Sequence, residues 1–182
     1  MEHNTPGLGR EVEIVPATAD QSVIVANLFE LYAHDFSEFH EIELGDDGRF
    51  GCDKLALYWS EPSRHAFLIK SRQKLAGFAL LKRGSEITKD ENVWDMAEFF
   101  VLRRYRRYGV GTEAARQIWS RFPGHWEIRV MESNKVAYHF WAHAIKTVHG
   151  EVISPIRVEI ARRDWYVFSF DAPGSLREEL ID

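Results

Sequence analysis

Four arginines crowd one short stretch, Arg103-Arg104-Tyr105-Arg106-Arg107, and Tyr108-Gly109-Val110-Gly111-Thr112 follows at once. Guanidinium groups at that density attract anions, and glycines let a backbone bend and come close to a ligand. The apolar spacing of Ala114, Ala115, Ile118 and Trp119 predicts a helix from about Gly109 to Arg121. Its unpaired N–H groups and positive dipole end then face the same place, a natural seat for a phosphate. Alone, the arginines would read as a solvated basic loop; joined to the glycine spacing they read as an anion site. A carboxylate comes just before it. Glu98 is set in the apolar run Ala97, Phe99, Phe100, Val101, Leu102, where a charge is expensive to bury unless it is paired or useful. On a solvent face it would do nothing in particular. Screened from water by two phenylalanines, it becomes a base suited to removing a proton near neutral pH. Asp95 is the alternative carboxylate.

These groups need a strand to carry Glu98 toward the turn and a helix to leave it. Around them, Glu11 to Val15 reads as a first strand stopped by Pro16. Val23, Ile24, Asn27, Leu28, Leu31 and Tyr32 recur with helical period behind an Asp20 cap. A second, broken helical region leads through Leu55 to Trp59. His65 to Lys70 and Lys74 to Leu81 form a hairpin around Ser71-Arg72-Gln73, and Gly84 to Asn92 is a polar loop. The central strand runs from Ala97 to Leu102, and Trp126 to Met131 alternates as the next one. A helix crosses between them, so they should be parallel neighbours. Asn134 opens a last helix carrying Val136, Ala137, Phe140, Trp141, Ala144 and Ile145 on one face. Val152 to Ala161 and Trp165 to Phe170 close the chain as two strands around Arg162-Arg163-Asp164. The expected class is α/β (α+β), a mixed, mostly antiparallel sheet with a central parallel strand pair and helices on both faces. Residues 1–10 are expected to be disordered, 11–171 to form one domain, and 172–182 to be a loose tail.

Composition narrows the function. The chain has 182 residues, 45% hydrophobic and 28% charged, the balance of a folded domain of enzyme size. No apolar run approaches a bilayer span and the N-terminus lacks a signal-peptide pattern, so no membrane partner and a cytoplasmic location are expected. Cys52 is the only cysteine, which excludes an intrachain disulfide and fits a reducing compartment. A net charge of −5 argues against nucleic acid as a partner. That charge is uneven: from Glu11 to Gly48 there are ten acids and no lysine or arginine. His139 and His143 are four apart on the last helix but have no evident third ligand, so no metal is expected. Gly109-x-Gly111-x-x-Ala114 also fits a loose dinucleotide pattern, yet six residues separate it from its strand where a dinucleotide turn would place the first glycine directly after it. The chain should fold alone or as a simple oligomer such as a homodimer.

Arg106-x-x-Gly109-x-Gly111 at a strand-to-helix turn resembles the R/Q-x-x-G-x-G/A signature of the GNAT acyltransferases. Glu98-Phe99-Phe100-Val101 resembles that family's fourth strand. Glu127-Ile128-Arg129-Val130 followed by Asn134-x-x-Ala137 resembles its fifth strand and next helix. The resemblance spans about Glu11 to Phe170 and implies an acetyl-coenzyme A-dependent N-acetyltransferase acting on a small amine. It implies that the pyrophosphate of acetyl-CoA lies against Arg106, Arg107, Tyr108, Gly109, Val110, Gly111 and Thr112, with backbone N–H groups as the main grip. It further implies that pantetheine pairs with the backbone of Phe99, Phe100 and Val101, between the two parallel strands. Asn134 would bond the cofactor while capping its helix, and Glu98 would take the amine proton. Many members protonate the departing thiolate with a tyrosine seven residues after that asparagine; the position here is Trp141, counted with the cofactor residues, and Tyr138, one turn earlier, is the substitute acid. The connection after the first helix borders the acceptor in the family, so Asp35, Glu38, Glu41, Glu43, Asp46 and Asp47 suggest a cationic amine. A non-catalytic acyl-CoA sensor is the alternative from another class.

Overall fold

The structure is a computed structural model and describes residues 11–173; the expected disordered start and the tail from residue 174 lie outside the described residues. The elements are β1 (Val12–Pro16), α1 (Ser22–Phe36), β2 (Arg64–Ser71), β3 (Lys74–Arg83), β4 (Trp94–Val101), α2 (Val110–Arg121), β5 (Gly124–Met131), α3 (Lys135–His149), β6 (Ile156–Ile160) and β7 (Arg163–Ala172). Single 3₁₀ turns lie at Ala19–Gln21, Leu55–Trp59 and Arg103–Tyr105. The strands follow the order β1-β2-β3-β4-β5-β7-β6. β4 and β5 are parallel, with Trp94 beside Trp126 and Asp95 beside Glu127, as the crossover through α2 requires. Among the described residues no helix is long and apolar enough to cross a membrane.

Two compact units divide these residues: one is built from residues up to Lys82 with Ala97–Val110, the other from Arg83–Met96 and the residues from Gly111 on. In the first, β1, β2 and β3 are antiparallel neighbours, with Ile14 opposite Ile69 and Phe67 opposite Ala79. Ala66–Ile69 and Ala76–Leu81 are buried without a break, the pattern of strands covered on both faces. Val25 and Leu28 of α1 pack with Leu55, Tyr58, Leu68, Phe78, Leu80 and Phe100 into one core. The β2–β3 turn is Arg72-Gln73, both at positive φ (49° and 60°), as a two-residue hairpin turn of matching twist requires.

In the second unit β5, β7 and β6 are antiparallel. Trp119, Trp126, Phe168, Ile118, Ile128 and Ile145 are the largest of its fully buried side chains among the described residues. Trp94 stacks on Trp126 at 5.9 Å between centroids, and the Arg83 guanidinium sits 3.9 Å over the Trp94 ring.

Five expectations needed correction. The first helix is not capped by Asp20, which lies inside the 3₁₀ turn Ala19–Gln21 and leaves Gln21 at the N-cap position of α1. The central strand starts at Trp94 and not at Ala97, because Asp95, which breaks the apolar pattern, is 1% exposed and paired with Arg129 at 2.8 Å. The expected strand from Val152 begins only at Ile156, after Pro155, which has no N–H to offer a ladder. The last hairpin turns at Ala161-Arg162, both at positive φ, one residue ahead of the expected turn. The second helical region reduces to the 3₁₀ turn Leu55–Trp59. The chain before it is a loop in which the Glu30 carboxylate accepts the N–H groups of Phe50 (2.8 Å) and Gly51 (2.9 Å).

Candidate active site

β4 reaches the site by a close approach. A Cβ at Gly77 of β3 would stand 1.9 Å from the Phe100 carbonyl oxygen, so the two backbones meet where only glycine fits. Beside this contact, the Leu102 N–H donates to the Ala76 carbonyl at 2.8 Å. Phe100 and Val101 are buried, Phe100 between Phe78 (5.9 Å) and Tyr32 (6.0 Å). Their side chains belong to the core, so a ligand could use only their main chain.

Glu98 is half-buried on this segment. Asp95, the alternative base, is enclosed and neutralised by Arg129, which leaves Glu98 as the β4 carboxylate that solvent or a substrate can reach. Burial, offset in part by a backbone hydrogen bond from Lys54 and reinforced by the charge of Glu98, pushes the Cys52 thiol above its ordinary value, which disfavours the nucleophilic thiolate.

The turn after β4 has a defined shape. Arg103–Tyr105 make one 3₁₀ turn, Arg106 is extended (φ −71°, ψ 154°), Arg107 and Gly109 are both left-handed (φ 67° and 79°), and α2 starts at Val110. Left-handed residues are found in the backbone concavities by which many proteins hold anions. Glycine is at ease at 79°, whereas Arg107 holds its conformation against strain. Val110 is 0% exposed and pins the start of α2, while Gly111 and Thr112 are half-buried in its first turn and Tyr108 is exposed.

The arginines divide into two kinds. Arg106 donates through Nε to the Val101 carbonyl (2.7 Å) and through a terminal nitrogen to Asp35 Oδ2 (2.7 Å), with its guanidinium 5.5 Å from the Phe100 ring centroid. Arg103 donates to Asp35 Oδ1 at 2.6 Å. The Arg106 side chain thus ties the turn to β4 and α1. Arg104 and Arg107 are exposed and, among the described residues, have no acidic partner. Burial works to raise the Asp35 carboxyl, but the hydrogen bonds and charges of Arg103 and Arg106 outweigh it and hold it below its ordinary value. Asp35 is thus no part of a free acidic rim; Glu38, Glu41, Glu43, Asp46 and Asp47 are exposed and remain candidates.

On α3, Asn134 accepts the Ala137 N–H at 2.9 Å and so serves as the helix cap. Tyr138 is half-buried against Tyr166 (5.0 Å) and Phe168 (5.6 Å). Trp141 is 6% exposed and packs on Trp119, a core role where a tyrosine could have been an acid. Sequence reasoning missed the anchoring roles of Asp35 and Glu30, for which no local signal exists. It also missed Gly77, whose signal was available: a lone glycine inside an apolar strand marks a bulge or a close backbone approach.

This is the architecture of an acetyl-transferring enzyme, and the comparisons agree. Residues 25–144, well over half the chain, match the family described as Acetyltransferase (GNAT) family, and the chain belongs to it. Acetyl-coenzyme A is the donor this family uses. An acetyltransferase from Thermus thermophilus superposes with a TM-score of 0.66 at 16% identity, covering 91% of this chain and 99% of that one. A probable GNAT acetyltransferase from Chromobacterium violaceum gives 0.58 at 20% identity, over 90% and 84%. Spermidine N-acetyltransferase from Vibrio cholerae, solved with CoA and spermine, gives 0.58 at 12% identity, over 89% and 96%. No curated protein matches the sequence significantly.

Proposed function

We propose that this protein is an N-acetyltransferase that moves the acetyl group of acetyl-CoA to a primary amine by direct attack on the thioester. The observation that carries the reading is the turn: Arg107 and Gly109 are left-handed immediately ahead of α2 and one 3₁₀ turn beyond the strand that bears Glu98. Glu98 takes a proton from the ammonium or amine, directly or through water, and the nitrogen lone pair attacks the acetyl carbonyl. The oxyanion is met by a backbone N–H near Phe99 or Phe100, and its collapse breaks the carbon–sulfur bond. Coenzyme A leaves as thiolate, which a thiol of pKa about 8.5 can do near neutral pH, with Tyr138 as the group that returns the proton.

The acceptor we favour is a cationic amine. Glu38, Glu41, Glu43, Asp46 and Asp47 stay exposed after Asp35 is taken up by arginines, and a structural neighbour is named for spermidine. The test is release of free coenzyme A thiol with a panel of cationic, neutral and anionic amines of similar size. Cationic amines should react best, with kcat/KM falling as salt rises, since exposed charges are screened over about 8–10 Å. Preference for anionic acceptors would remove the acceptor assignment. The burial of Trp141 favours a second reading, an acyl-CoA-binding module without turnover; it predicts coenzyme A binding and no thiol release with any amine.

A further inference from the structure

We propose that Asp35 is a positioning residue for the coenzyme A turn, an inference that rests on the coenzyme A reading above. Asp35 lies in the last turn of α1, where a carboxylate meets the negative end of the helix dipole and is partly desolvated. Nothing local favours a charge there. Two guanidinium groups hold it: Oδ1 receives Arg103 at 2.6 Å and Oδ2 receives Arg106 at 2.7 Å. Arg106 continues the chain of bonds to the Val101 carbonyl at 2.7 Å. A single carboxylate thereby joins the end of α1, both ends of the segment from Arg103 to Arg106, and the last residue of β4.

The next residue in the chain is Arg107, left-handed without being glycine (φ 67°). Such conformations persist when their surroundings over-determine them. Here the surroundings are the Arg106 anchor on one side and the fully buried Val110 on the other. Asp35 therefore sets the backbone of Arg107 to Gly109, whose N–H groups are the proposed grip on pyrophosphate, without touching the ligand itself.

The charge of Asp35 opposes its anchoring effect. It offsets part of the positive charge of the turn, so through electrostatics alone its removal would tighten anion binding. Anchoring predicts the reverse, and the sign of the change separates the two. Asp35→Asn is nearly isosteric and is measured with the full chain by titration calorimetry against coenzyme A, and by initial rates with acetyl-CoA and with acetyl-pantetheine, which lacks the pyrophosphate. The expected result is coenzyme A affinity and KM for acetyl-CoA weakened about 10-fold, kcat within about 2-fold, and kcat/KM for acetyl-pantetheine unchanged. A general structural defect would lower both donors alike. Arg106→Lys keeps the charge but cannot span Val101 and Asp35 together, and should show the same donor-selective pattern if Asp35→Asn fails to fold. Unchanged or tighter coenzyme A binding in a folded Asp35→Asn protein, or equal losses with both donors, overturns the inference alone. A parent protein that binds no coenzyme A overturns the coenzyme A reading, and this inference with it.

Discussion

Replacing Gly77 with alanine adds one methyl group where the structure has no room for it. The new Cβ would lie 1.9 Å from the Phe100 oxygen, 3.0 Å from the Phe100 carbonyl carbon and 3.1 Å from the Val101 Cα. Real Cβ contacts do not fall below 3.0 Å, so the difference, 3.0 − 1.9, requires a displacement of about 1.1 Å between two backbones. Backbone atoms cannot rotate away as a side-chain tip can. Overpacking of this kind typically costs about 1–3 kcal/mol, and disturbing the Leu102 to Ala76 hydrogen bond beside it adds about 1 kcal/mol. Glycine to alanine at an unstrained site would instead stabilise by about 0.4–1 kcal/mol through the unfolded chain, so even the sign is informative. The assay is urea unfolding of Gly77→Ala beside Gly45→Ala, where the closest atom is the end of the Asp47 side chain at 3.0 Å. Gly77→Ala should lose about 2–4 kcal/mol with the m value unchanged, and Gly45→Ala should stay within about 0.5 kcal/mol of the parent. Because the shift falls on Phe100 and Val101, turnover of the folded fraction should drop as well. A Gly77→Ala protein as stable as the parent would refute the close approach.

Glu98→Gln should lower kcat on the order of 10²-fold or more with coenzyme A binding nearly intact; a rate and pH profile matching the parent's would leave proton removal to water, since Asp95 is enclosed by Arg129. Gly109→Val places a β-branched residue at φ 79° and should weaken coenzyme A binding in calorimetry, whereas Gly109→Asn, which tolerates the left-handed region, should retain most of it. His149 packs between Trp119 (5.5 Å) and Phe170 (4.9 Å), and burial lowers its pKa from the ordinary 6.5. The unfolded chain therefore binds more protons here, so this contribution to stability is complete above pH 6.5 and is lost as the pH falls from there through the folded-state value. His149→Phe should flatten that part of the stability profile; an identical decline between about pH 7 and pH 5 in parent and variant would exclude His149 as its source.

Local patterns in the chain were enough for the order of the strands and of the three α-helices, the parallel crossover and the glycine-bearing turn between β4 and α2. Each rests on residues close in sequence: helical spacing around Ile118, alternation from Trp126 to Met131, glycines next to arginines. Asn134 was legible as a cap for the same reason. What stayed hidden depends on partners brought from far away. Asp35 looked like one more acid in an acidic stretch, and its role follows from Arg106, 71 residues later. Asp95 hid the start of β4 until Arg129 was found beside it on β5. The anchoring bonds of the Arg106 guanidinium stayed hidden because nothing in its neighbourhood announces the Val101 carbonyl as its acceptor. Trp141 could be placed at the usual tyrosine position by counting, but its place in the core is set by contact with Trp119 on another helix. Periodicity reports which face of an element is apolar, whereas the pairing of one buried charge or backbone with another is fixed only when distant segments pack, and those pairings hold the proposed site in shape.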